Sequence, residues 1–221
     1  MRTAIPEEPL GSTGKSIPLV GFGTVEYPLN EAFKERVLHA IKLGYRHFDT
    51  AAAYPSEQPL GEALAEALRL ASFNPATSFS SPQNSGSPTP IAAVSSRAYK
   101  KLSKTNPIWQ QKKLREYRKE KGIHFSACSP LGAVGTNWGH NRVMENEVAI
   151  RWFYQQRVSV IVKSFNKERM EQNLDIFDWE LSGEELQKIE QILQYRGSRA
   201  EAYLSENGPF RTVEEIWDGE I

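Results

Sequence analysis

Residues 44–54 of this 221-residue chain read GYRHFDTAAAY, and the fold turns on how that stretch is read. Gly44 stops an amphipathic helix, and Tyr45–Thr50 then reads as a short buried strand. The strand ends on a carboxylate, Asp49, and a phenol, Tyr54, follows in the loop. An acid and a phenol at the C-terminal end of a strand stand where the strand ends of a β/α barrel form a site. The same spacing suits an Asp49 that caps the loop and a Tyr54 that packs half-buried. Spacing alone leaves both readings open.

Working outward, Thr3–Leu10 and Ser16–Val20, joined by the turn GSTG, read as a hairpin. Leu19–Thr24 (LVGFGT) continues as a buried strand, and its glycines, Gly23 among them, let something approach the backbone closely. Asn30 can cap the next helix, whose apolar face is Phe33, Val37, Leu38 and Ile41. Beyond Tyr54, Ser56 can cap a second helix with Leu60, Leu64 and Leu68 on one face. The strand–helix–strand–helix alternation predicts a parallel α/β fold.

The pattern breaks near Ala71. Residues 72–90 (SFNPATSFSSPQNSGSPTP) have no apolar period and predict irregular or disordered chain that cannot offset its ordering entropy. Ile91–Ser95 reads as a strand. Asn106-Pro107 is a helix start signal, with Gly122 as its stop. His124–Cys128 reads as a strand, Ser129–Gly139 as a Gly-rich loop, Glu147–Gln156 as a helix and Val158–Lys163 as an apolar strand. Asn166 can cap a helix through Leu174. Ser182 with Glu185 forms a capping box, flanked by the staple Leu181 and Leu186. Residues 205–221 predict an ordered loop over the surface.

Lys+Arg 27 against Asp+Glu 27 gives zero net charge, which points to neither a nucleic-acid nor a membrane partner. The basic run Gln110–Lys121 is interleaved with Glu and reads as a solvated helix face. One cysteine, Cys128, excludes an internal disulfide framework and a multi-Cys metal site, and no metal is expected. No signal-like or membrane-spanning run is present, so a cytoplasmic protein is expected.

With IPLVGFGT (Ile17–Thr24) before the opening stretch and SEQPLGEAL (Ser56–Leu64) after it, the chain resembles the aldo-keto reductases. The likeness is strongest to the plant group of polyketide (chalcone), codeinone and methylecgonone reductases and deoxymugineic acid synthase. The resemblance implies one domain over 1–221 derived from the (β/α)8 TIM barrel, monomeric, reducing an aldehyde or ketone with NADPH. It implies that Asp49 and Tyr54 are the catalytic acid and phenol. The family pairs that phenol with a lysine ending the third strand and a histidine ending the fourth. Neither context occurs here, and residues 71–96 contain no Lys and no His.

About five of eight strands are recognisable: Leu19–Thr24, Tyr45–Thr50, Ile91–Ser95, His124–Cys128 and Val158–Lys163. The third, fourth and sixth are missing. An incomplete barrel with open edges and low stability is therefore expected. Ile91–Ser95 resembles the family's fifth strand, in which Ser95 holds the nicotinamide amide and Ser96 replaces its Asn partner. Ser129 and Leu131 resemble the loop over the pyrophosphate, and Cys128 replaces the tyrosine on which nicotinamide stacks.

The phosphate end is better kept. Lys163, Ser164, Phe165, Asn166, Arg169, Gln172 and Asn173 match the family's motif for the adenosine 2′-phosphate and adenine, with Gly23 and Thr24 beside the cofactor. A strand end feeding a capped helix start, flanked by two cations, suits a phosphate. The resemblance thus implies an NADPH-dependent oxidoreductase, impaired because Lys and His are missing. A non-catalytic NADPH-binding or interacting relative, or a defective splice or gene-model product, are the alternatives.

Overall fold

The structure is a computed structural model that describes residues 4–10, 13–73, 92–95, 105–133, 144–195, 204–206, 208 and 210–217. Strands β1 (Glu7–Pro9) and β2 (Ser16–Pro18) pair antiparallel, with Glu8 opposite Ile17, forming the expected hairpin. β3 (Val20–Gly23), β4 (His47–Thr50), β5 (Ala92–Ser95), β6 (Ser126–Cys128) and β7 (Ser159–Val162) form one parallel sheet. Its order is β5-β4-β3-β7-β6. All five strands expected from the sequence are present.

β3, β4 and β7 are buried at every position, as strands covered on both faces must be. Helix α1 (Phe33–Leu43) lays Phe33, Val37, Ala40 and Ile41 on the sheet and ends at Gly44, whose φ of 108° is the left-handed stop. Phe22 sits at the centre of an aromatic cluster, 5.4 Å from the Tyr45 ring and 5.9 Å from those of Phe48 and Phe165. Tyr45 is fully buried, and its hydroxyl donates to the Met170 carbonyl at 3.0 Å.

Among the described residues β5 and β6 each pair with one strand, so the sheet is an open arc of the barrel. β5, the strand resembling the family's fifth, pairs directly with β4, with Val94 opposite Asp49 and Ser95 opposite Thr50.

Several local expectations are corrected. Helix α2 (Glu57–Phe73) runs past the break expected at Ala71, while 74–91 lie outside the described residues. Its buried face is Leu60, Ala63 and Ala67, and Leu68 is exposed, because the helix turns the small alanines to the tight α1 contact. Asn106-Pro107 starts a tight turn rather than a helix. The Asn106 side chain accepts the Ile108 N–H at 3.1 Å, and α3 (Lys112–Lys121) begins only after Gln111 at φ 46°. Gly122 closes α3 as expected.

α4 (Asn146–Gln155) and α5 (Lys167–Gln172) follow the expected pattern, and Asn166 accepts the Arg169 N–H at 2.8 Å as the α5 cap. α6 (Gly183–Glu190) opens on the full Ser182–Glu185 capping box. The tail holds a short helix, α7 (Val213–Trp217), where a loop was expected. Its start is held by Glu215, which accepts the Arg211 N–H at 2.6 Å.

Candidate functional site

Because the five strands are parallel and in register, their C-terminal ends gather on one side of the sheet. Gly23 stands beside Asp49, Asp49 beside Val94, Phe22 beside Val162, and Cys128 beside Ile161. Asp49, Ser95, Ser129 and Lys163 thus share one end of the arc. Gly23 has no spare room: a Cβ there would lie 3.2 Å from the Lys163 Cβ.

Asp49 is buried, and that burial pushes its carboxyl from 3.8 to about 6. No neighbouring cation among the described residues offsets the cost. The Asp49 charge reaches two further acids. Tyr54 is held above its ordinary 10.0 by burial first and Asp49 second. Cys128 is pushed up to about 12 by burial and then by Asp49. The strand ends thus keep a protonated phenol and thiol near one buried carboxyl, and the lone cysteine is chemically quiet there.

The loop that carries Tyr54 is stitched to the loop after β3. Thr24, buried, donates its hydroxyl to the Asp49 carbonyl at 2.8 Å. Ser56, also buried, donates to the Thr24 carbonyl at 2.7 Å, so it ties two loops together instead of capping α2. Tyr27 donates to the Ala53 carbonyl at 2.6 Å and stands edge-on to the Tyr54 ring at 6.5 Å. Sequence reasoning passed over Tyr27, whose one signal is an aromatic shortly after GFGT.

The phosphate-end residues lie at the β7–α5 junction. Lys163, Asn166, Arg169 and Gln172 are exposed, Ser164 and Phe165 are half-buried, and Asn173 is buried at the end of α5. The Asn166 N–H donates to the Ser164 hydroxyl at 3.3 Å. Phe165 is a core wedge: its ring meets Phe22 and Phe33, while Lys163 Nζ lies 4.8 Å and the Arg36 guanidinium 5.2 Å from its centroid. Ser129 at φ 53° opens a turn in which the Gly132 N–H donates to the Ser129 carbonyl at 3.0 Å, and Leu131 packs against the core.

His124 is far from this end. Its Nε2 donates to the Ser159 hydroxyl at 2.8 Å, and Ser159 donates to the Pro18 carbonyl at 3.1 Å. Trp109 is buried in the core, and Trp138 lies outside the described residues.

The Aldo/keto reductase family model matches residues 19–78 and 139–194, more than half of the chain. The chain belongs to the aldo/keto reductase family. As such it is similar end to end, at 58% identity over 318 aligned positions covering 100% of both chains, to the (1S)-1,7-diacetoxy-luvungin A aldo-keto reductase of Citrus sinensis. It is 47% identical to the 7-acetyl-epi-neemfruitin B aldo-keto reductase of Melia azedarach, over 99% of this chain and 98% of that one.

Among solved structures, an aldo-keto reductase of the silkworm Bombyx mori superposes with a TM-score of 0.71 at 16% identity, covering 96% of this chain and 95% of that one. A second silkworm aldo-keto reductase, solved in complex with NADP, gives 0.64 at 19% identity, over 94% of this chain and 98% of that one. The fold of this aldo/keto reductase is therefore of the TIM-barrel type. An alignment of 318 positions against 221 residues leaves at least 97 positions with no residue of this chain.

Proposed function

We propose that this chain is an NADP(H)-binding oxidoreductase of the family whose carbonyl reduction is impaired. The observation that carries the reading is Tyr54, a phenol at the strand-end site whose pKa is raised by burial and by Asp49. A phenol that protonates a reacting oxygen needs its pKa brought down, and a neighbouring cation does that. Losing such a cation costs about 1–3 pKa units, or ~1.4–4 kcal/mol of barrier. A rate deficit of roughly 10- to 1000-fold follows from that loss alone.

The two ends of the site fit the cofactor unequally. Lys163, Arg169 and the Asn166-capped start of α5 offer charge and free N–H groups to a phosphate. Gln172 and the buried Asn173 would lie by the adenine. At the nicotinamide end, Cys128 offers no stacking face. Ser95 belongs to a strand that pairs with β4, one place from β3, which moves it from the position its resemblance implies. When bound, the cofactor supplies the hydride. Asp49 and Tyr54 hold the carbonyl end, and Gly23 and Thr24 keep the backbone close enough for the two ends to meet. The 97 unmatched alignment positions support loss of whole elements rather than drift of single residues. No helix among the described residues is long and apolar enough to cross a membrane. A cytoplasmic monomer is the setting this reading assumes.

The test is a thermal melt with and without NADPH, followed by turnover assays. At about 100 times the dissociation constant a cofactor stabilises by ~2.7 kcal/mol. That raises the melting temperature by roughly 5–10 °C in a chain of this size. Lys163→Ala with Arg169→Ala should abolish the rise. The substrates to offer are small aldehydes and ketones, (1S)-1,7-diacetoxy-luvungin A and 7-acetyl-epi-neemfruitin B. No cofactor shift would sink the binding reading. Fast NADPH-dependent turnover, abolished by Tyr54→Phe, would sink the impairment.

A further inference from the structure

We infer that Tyr27 is a positioning residue, which holds the segment carrying Tyr54 through the Ala53 carbonyl and through ring-edge contact with Tyr54 itself. The inference rests on the reading of Tyr54 as the carbonyl-end phenol. Tyr27 is 63% exposed, so burial gives it little reason to adopt one orientation. Both specific contacts it makes nevertheless fall on the same short loop: a 2.6 Å hydrogen bond to Ala53 and a perpendicular ring pair, 89° between planes, with Tyr54.

Among the described residues the loop has few other anchors. Within it, the Tyr54 N–H donates to the Ala51 carbonyl at 2.8 Å and the Glu57 N–H to the Tyr54 carbonyl at 3.2 Å. Thr24 and Ser56 fasten its two ends from beneath, at Asp49 and at Thr24. Tyr27 fastens its middle. With Thr24 and Ser56 it makes a three-hydroxyl clamp between the β3–α1 loop and the β4–α2 loop. Tyr27 also adds, after burial, Asp49 and Cys128, to the influences that hold the Tyr54 phenol above its ordinary value.

Two variants separate the parts of this role: Tyr27→Phe keeps the ring edge and loses the hydrogen bond, and Tyr27→Ala loses both. Amide hydrogen exchange on the intact chain at neutral pH reads the loop directly. Tyr27→Phe should speed exchange of the Tyr54 and Glu57 amides about fivefold, the loss of one net hydrogen bond, and leave the Val160 amide in the core unchanged. Phenolate absorbance, corrected with Tyr54→Phe in each background, should show the Tyr54 midpoint falling toward the ordinary value in Tyr27→Ala. Unchanged loop amides in Tyr27→Phe overturn the proposal. So does exchange that rises equally at Tyr54 and Val160, which is global destabilisation only. Neither readout uses cofactor or turnover, so a failure of the proposed function leaves this test readable. Tyr27→Phe alters one exposed hydroxyl and should fold even where Tyr27→Ala does not.

Discussion

Replacing the buried acid by its neutral isostere, Asp49→Asn, should stabilise this protein, and only above acidic pH. Burial raises the Asp49 carboxyl from 3.8 to about 6, with no cation among the described residues in compensation. The folded state therefore keeps a proton that the unfolded state has released, throughout the interval between those values. Folded binding exceeds unfolded binding there, so the contribution of this site to stability falls as pH rises from about 4 to about 6 and stays lost above. About two pKa units at ~1.4 kcal/mol each give a cost near 3 kcal/mol for the ionised group. The neutral amide of the Asp49→Asn variant would not incur it. The expected gain in melting temperature at about pH 8 is roughly 6–12 °C, shrinking to nothing near pH 4. Paired calorimetric melts of both proteins across that range test it, since every other titrating group is common to the two. An equal shift at both ends of the range, or a lower melting temperature at pH 8, would refute the electrostatic account. A gain of stability on neutralising Asp49 is the direction expected of the acid role proposed for it, where activity needs an ion that folding does not.

Three further outcomes follow. His47 and His124 are both held near 4, against 6.5 unperturbed, chiefly by burial. Their stabilisation is present above about 6.5 and lost as pH falls toward 4, so melts should drop steeply in that window and His124→Gln should soften the fall. Gly21→Ala should destabilise by ~1–3 kcal/mol in denaturant titration. Its Cβ would fall 2.7 Å from His47 Nδ1 and from Ile161 Cδ1. Ser182→Ala removes the capping box of α6 and should cost about 1 kcal/mol, read as a drop of a few degrees in the melt.

The elements legible in the sequence were those with local signals. Gly44, Gly122 and the Ser182–Glu185 box mark helix ends through backbone conformation and capping, which neighbours do not override. The apolar runs around Val20, Phe48 and Val160 marked the central strands because parallel strands are buried on both faces. The failures were places where tertiary contacts decide. Asn106 satisfies its own turn before any helix starts, Ser56 donates to Thr24 rather than capping α2, and Ala63 and Ala67 outcompete Leu68 for the α1 contact. That Asp49 ends a strand and Tyr54 follows it in a loop was legible in the motif. That burial alone sets the Asp49 shift among the described residues, and that its charge reaches Cys128, needed the folded arrangement.

The two family-matched stretches, 19–78 and 139–194, explain why a core persists when a third of the aligned positions have no counterpart. They are distant in sequence yet meet at one seam, where β3 pairs with β7 through Val20–Val160 and Phe22–Val162. Phe165 from the second stretch inserts between Phe22 and Phe33 of the first, and Tyr45 of the first donates to Met170 of the second. Packing across that seam is independent of the far wall of the barrel. The seam also sets Asp49 and Tyr54 on one side and Lys163 to Asn173 on the other. The residues proposed for the two ends of the cofactor thus both sit on described strands and helices joined by this seam. On the proposed function, phosphate affinity would reside at the β7–α5 junction, while the Tyr54 phenol stays held above its ordinary value by burial and by Asp49.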